Sequence, residues 1–211
     1  MKPQLVFLDT ETTGLKPWHH EVLEVAIVGP DCDPSSPDHV KSWGWSSRVM
    51  PSRLETASPK ALKINGLDPK TWIDEPLPSE VALRIIQSLK GKTVVGHNVN
   101  FDLDFLRALC VEAQVAKNGS FESVFGIEGT IDTVPMAREI LTPMGLQSPS
   151  MDKVRGFLGW STKDAHTAMQ DALDVRRLYY LLKNVDPLDR AFIWRTVQRI
   201  KKQGNPDAAA R

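Results

Sequence analysis

The sequence predicts an α/β fold with a single sheet that opens as an antiparallel meander. Three observations point there. Three β-type segments fall within the first fifty residues, strand-type and helix-type segments then alternate, and 211 residues suffice for a full core around one sheet.

Gln4 to Asp9 reads as a buried strand, a short run of β-branched, aromatic and aliphatic residues. Val22 to Val28 reads as a second, reached through a turn at Gly14-Leu15-Lys16-Pro17. Trp43 to Val49 alternates apolar and polar residues and gives a third, after a proline- and serine-containing loop over Asp31 to Asp38. Pro59 to Ile64 is a short helix ended by Asn65-Gly66. Ser79 to Leu89 is an amphipathic helix with Ser79 as its cap and Gly91 beyond its end. Thr93 to Gly96 is a fourth strand, followed by a helix over Phe101 to Ala116. Thr130 to Asp132 is a fifth strand, leading into a helix over Val134 to Leu141. Met151 to Leu158, Thr167 to Lys183 and Ala191 to Lys202 complete the helices, and residues 204–211 are expected to be a disordered tail. There is no internal repeat and no dividing linker, so residues 1–203 are expected to form one domain.

Composition excludes several classes. The 26 basic and 26 acidic residues balance, which is not the footprint of a protein that tracks long nucleic acid. The balance is uneven, with 11 Lys and Arg against 5 Asp and Glu from Lys153 to Lys202, so a modest basic face or an ordinary solvated surface is expected there. Cys32 and Cys110 follow no metal-ligand spacing and no disulfide framework, which makes a reducing, cytoplasmic setting the expectation. The apolar run Leu5 to Leu8 is too short for a signal peptide core, and no stretch reaches the length of a membrane span.

Against that ordinary background, four carboxylates are out of place: Asp9, Glu11, Asp102 and Asp171. Burying an unpaired charge is expensive, so acids are rare in apolar segments. Asp9 and Glu11, two apart at a strand end, point to the same face. Two carboxylates so close repel unless a cation stands between them, and an all-oxygen donor set suits Mg²⁺ or Mn²⁺. Asp102 falls in the first turn of its helix, where the macrodipole favours an acid in any case. Asp104, roughly 200° round the same helix, reads as structural. His166 and Asp171 are about 140° apart if both are helical, so they meet only if His166 precedes the helix and Asp171 lies in its second turn.

Three strings in order carry a resemblance: Asp9-x-Glu11-Thr-Thr-Gly, His97-Asn-x-x-Phe-Asp102 and His166-x-Ala-x-x-Asp171. They resemble the exonuclease motifs of the DEDDh family, which includes the proofreading epsilon subunit of bacterial DNA polymerase III, exonuclease X, RNase T and oligoribonuclease. The similarity covers roughly residues 4–183, with Ile131-Asp132-Thr133 resembling the family's connecting strand. It implies an RNase H-like fold, a five-stranded mixed sheet flanked by helices.

The resemblance also implies two-metal hydrolysis of a phosphodiester at a nucleic acid 3′ end. In that scheme Asp9, Glu11 and Asp171 hold one Mg²⁺ or Mn²⁺. Asp9 bridges to a second, which Asp102 supports directly or through water. His166 is the general base, a role suited to an imidazole. Thr12 and Gly14 bring backbone to the terminal nucleotide, Leu15 wedges against a base, and Phe101 and His97 line the base pocket. Asn65 stands where the family often has histidine, a departure that touches nucleotide contact but not the catalytic set. DNA is the favoured substrate, RNA the alternative, and a polymerase a further candidate partner. All five catalytic positions are present, which argues against a non-catalytic binding module.

Overall fold

The computed structural model of the protein describes residues 4–32, 43–64, 72, 74–162, 165–183 and 185–203. The five predicted strands are β1 (Leu5–Thr12), β2 (Val22–Val28), β3 (Gly44–Arg48), β4 (Thr93–Gly96) and β5 (Gly129–Asp132). They form one mixed sheet in the order β3-β2-β1-β4-β5. The first three are antiparallel, whereas β4 pairs with β1, and β5 with β4, in parallel. Helices α1 (Pro59–Ile64), α2 (Pro78–Leu89), α3 (Val99–Glu112), α4 (Phe121–Phe125), α5 (Thr133–Leu141), α6 (Met151–Leu158), α7 (Ala168–Leu182) and α8 (Pro187–Gln203) flank it.

The central strand sorts its residues between two cores. Val6 and Leu8 pack with Ile85 of α2 and Leu103 and Leu106 of α3. Phe7 faces the opposite way, against Ala168, Ala172 and Val175 of α7. By the two-residue period of a strand, Asp9 and Glu11 continue the Phe7 face toward α7, and Thr10 continues the Leu8 face toward α3. The alanines of α7 let that helix approach β1 closely, which fixes where its first turn meets the two acids. A third core, around Leu141, Val154 and Leu158, takes Ile193 and Val197 of α8.

Several boundaries differ from expectation, each for a local reason. β1 runs on to Thr12, so both acids lie inside the strand; Glu11 is paired with Glu24 before a bulge between Glu11 and Thr12. Helix α2 begins at Pro78, and its first amides are met by Glu80, whose carboxylate accepts the Leu77 N–H at 3.2 Å; Ser79 is not the cap. Helix α3 begins two residues early because Asn98, at φ 70°, caps it in the left-handed conformation that asparagine tolerates. It ends at Glu112, and the next turn closes on the Cys110 carbonyl. The five-residue α4 was not predicted; the Ser120 hydroxyl accepts the Ser123 N–H to start it. Helix α8 starts at Pro187, with Asp186 accepting the Asp189 N–H at 2.8 Å, an N-cap followed by proline. The expected tail, Asn65 and Gly66, and most of the expected 31–38 loop lie outside the described residues. Among the described residues, no helix is long and apolar enough to cross a membrane.

Candidate active site

Asp9 and Glu11 on β1 meet Asp171 in the first turn of α7, not the second as expected. Each of the three offers an oxygen within 4.8 Å of the others. Thr167 caps α7 by accepting the Gln170 N–H at 3.3 Å, so Asp171 sits at the positive end of the helix. Asp102, 4% exposed in the first turn of α3, stands outside this triad but close enough to act on Asp9. The Thr10 hydroxyl fixes it with a 2.7 Å hydrogen bond. Asp104 is the structural residue expected, paired with Arg107 at 2.5 Å.

The electrostatics show what these acids lack. Burial first, then the charges of Asp102, Asp171 and Glu11, raise the Asp9 carboxyl well above the usual range. Burial and Asp171 push Glu11 up to about 8. Burial raises Asp102 to about 7, against the hydrogen bond from Thr10. Asp171 is also raised by burial, although Arg155 pulls the other way. A group of oxygen donors that repel one another is the donor chemistry a hard divalent cation satisfies, so these residues fit such an ion.

A dependence of stability on pH follows. Glu11 and Asp102 hold protons more tightly when folded than unfolded, so the metal-free protein binds more protons than its unfolded chain between about pH 4 and pH 8. Unfolding free energy therefore falls as pH rises through that window. Melting in EDTA should drop by several degrees between pH 5 and pH 8, and added Mg²⁺ should reverse much of the drop at pH 8. A flat metal-free profile would mean that the acids are not held at these proton affinities.

His166 precedes α7 at φ 68°, a backbone conformation uncommon outside glycine. Its N–H donates to Asp171 Oδ1 at 3.3 Å. Its ring stays 40% exposed, with Nε2 3.9 Å from Asp152 Oδ1. The histidine is thus tied by backbone to a cluster acid while its ring remains open to a water. On α6, Arg155 is wholly buried and donates to Asp171 Oδ1 at 2.6 Å and to Asp174 Oδ2 at 2.7 Å.

Beside the cluster lies a cavity of about 570 Å³ lined by Thr12, Gly14, Leu15 and Phe101 of the predicted substrate set, together with Glu11. Leu15 is 80% exposed at its mouth, and Phe101 rests on Phe105 with ring centroids 4.8 Å apart. Gly14 lies close under the His20 ring: a Cβ there would stand 2.3 Å from it and force the ring to move. His97 is placed differently from expectation and is not among the cavity's lining residues. Its Nε2 lies 2.6 Å from the Pro149 carbonyl, which can only accept, and its Nδ1 lies 2.8 Å from the Thr133 hydroxyl. Both ring nitrogens are spent, tying the end of β4 to the start of α5 and to the loop before α6. Asn65 lies outside the described residues.

Sequence reasoning missed Lys16, His20 and Lys60, which also line the cavity, and Arg155, Asp152 and Glu24 around the acids. Glu24 was findable, since it is a carboxylate inside the apolar run Val22–Val28. Lys60 reaches the site because the Ser58 N–H donates to the Thr13 carbonyl at 2.8 Å, a link no local pattern announces.

Sheet order and the acids on its central strand define an RNase H-like nuclease fold. The chain belongs to the RNase T exonuclease family, whose sequence profile matches residues 6–179, and its enzyme class is 3′–5′ exonuclease. Among curated relatives, DNA polymerase III subunit epsilon of Treponema pallidum is 26% identical over 167 residues, 78% of this chain and 69% of that protein. The epsilon subunit of Buchnera aphidicola is 26% identical over 191 residues, 86% of this chain and 73% of that protein. E. coli exonuclease I in complex with a dA16 oligonucleotide superposes with a TM-score of 0.69 at 18% identity, over 90% of this chain and 43% of that one. The protein therefore spans less than half the length of exonuclease I, and that likeness concerns the fold.

Proposed function

We propose that the protein removes nucleotides one at a time from the 3′ end of single-stranded or frayed DNA, releasing nucleoside 5′-monophosphates. The observation that carries this is the meeting of Asp9, Glu11 and Asp171 within 4.8 Å, beside a cavity that Glu11, Leu15 and Phe101 help to line. Asp9, Glu11 and Asp171 would hold one Mg²⁺ or Mn²⁺, and Asp9 with Asp102 a second. When bound, such a pair acidifies a water and neutralises charge on the attacked phosphate. His166 accepts the proton of the attacking water at its unprotonated ring nitrogen. Leu15 and Phe101 hold the terminal base by apolar and stacking contact, which is tolerant of sequence. Thr10 keeps Asp102 in place from the far face of β1.

DNA is favoured because curated relatives are named as subunits of DNA polymerase III and the superposed exonuclease I holds a deoxyoligonucleotide. That kinship supports a replicative polymerase as the protein partner to test, and the cytoplasm is the compartment proposed for its action. Residues 1–203 act in this reading as one exonuclease domain. The test is a digestion series on labelled DNA and RNA, single- and double-stranded, with Mg²⁺, Mn²⁺ or EDTA. Single-stranded DNA should be shortened fastest, with activity in either metal and none in EDTA. Robust hydrolysis in EDTA would remove the metal scheme, and a preference for RNA would replace the substrate.

A further inference from the structure

Arg155 is the largest of the fully buried side chains, and a guanidinium survives such burial only among carboxylates. One of them, Asp174, is itself 3% exposed; it takes the Arg155 Nε–H on Oδ2 at 2.7 Å and the Gln170 amide on Oδ1 at 3.1 Å. That pair anchors the fork. The same fork then reaches beyond its anchor, giving its Nη2 proton to Asp171 Oδ1 at 2.6 Å and its Nη1 proton to Asp152 Oδ1 at 3.3 Å. Asp171 Oδ1 also receives the His166 N–H at 3.3 Å. Both bonds end on one oxygen, so Oδ2 is the oxygen left for a cation.

We propose that Arg155 is the positioning residue of the metal centre: its planar fork pins Asp171 Oδ1 and so presents Oδ2 in a single orientation to an ion held with Asp9 and Glu11. The inference rests on the metal-dependent reading above. It runs against simple charge, because a guanidinium beside the cluster repels a cation. If charge ruled, removing it would tighten metal binding; if positioning rules, removal loosens it. Arginine serves here where lysine would not, because its donors are fixed in one plane and reach two carboxylates at once.

The experiment is Mn²⁺ affinity of the full chain, read from the electron paramagnetic resonance of free Mn²⁺, with metal-free melting alongside. Arg155→Leu combined with Asp174→Leu removes the buried pair together, an exchange that is often neutral for stability. Melting near wild type with Mn²⁺ bound about 10–100-fold more weakly is the expected result, the usual loss when a ligand's outer partner is removed. Arg155→Lys keeps the charge and loses the fork, and should also bind Mn²⁺ more weakly; it decides the matter if the double variant does not fold. Mn²⁺ bound as tightly as in wild type, or more tightly, by the folded double variant or by Arg155→Lys would overturn the proposal. Wild type that bound no Mn²⁺, or Asp9→Ala that bound it normally, would instead strike the metal-dependent reading.

Discussion

Asp9→Ala should lower turnover by at least about 10³-fold, since several kcal/mol of transition-state stabilisation depend on the ions it would hold. The fold should survive. Asp9 is part-buried beside Asp102, Asp171 and Glu11, and each of those charges disfavours its own. Deleting it relieves repulsion, so the metal-free variant should melt at or above the wild-type temperature at pH 8. Mg²⁺ should raise the melting temperature of wild type and leave the variant nearly unmoved, because stabilisation by a ligand requires its site. Asp171→Ala should match the loss of turnover without the gain in stability, because it also strips a partner from Arg155. A variant of either residue with near-normal turnover would remove that residue from the ligand set.

His166→Ala should lower turnover by about 10²–10⁴-fold, the usual worth of a general base. Its ring makes no hydrogen bond to the cluster acids among the described residues; the bond to Asp171 comes from its backbone, which alanine keeps. Mn²⁺ affinity and KM should therefore change little. The loss should fall on turnover under saturating Mg²⁺, the step in which the base takes the proton of the attacking water. Near-normal turnover in the variant would strip His166 of that role.

The acids were legible because a charge inside an apolar run has few reasons to be there, and Asp9, Glu11 and Asp171 do come together in space. The antiparallel opening of the sheet was legible too, since β1, β2 and β3 follow one another closely, as was the alternation after it, with β4 and β5 each leading into a helix; the order of the strands was not. Arg155 was not. On α6 it sits among lysine, aspartate and glycine, where an arginine reads as solvated surface, and its partners lie sixteen and nineteen residues away on α7. His97 misled for a related reason: its string predicts the turn correctly but cannot say that the Pro149 carbonyl will claim the ring. Lys60 joins the cavity only because a backbone bond from Ser58 hangs α1 over β1. What local pattern can carry is a residue's own face; which distant element covers that face is decided by packing.

The central claim is hydrolysis from a 3′ end at the Asp9, Glu11 and Asp171 cluster. Its most direct test pairs two substrates in Mg²⁺: a 5′-labelled linear single strand and a circular strand of the same sequence, each given to wild type and to Asp9→Ala. Wild type should shorten the linear strand in a ladder of single-nucleotide steps and leave the circle intact, while Asp9→Ala leaves both untouched. Cutting of the circle, or release of the 5′ label as the first product, would contradict the account.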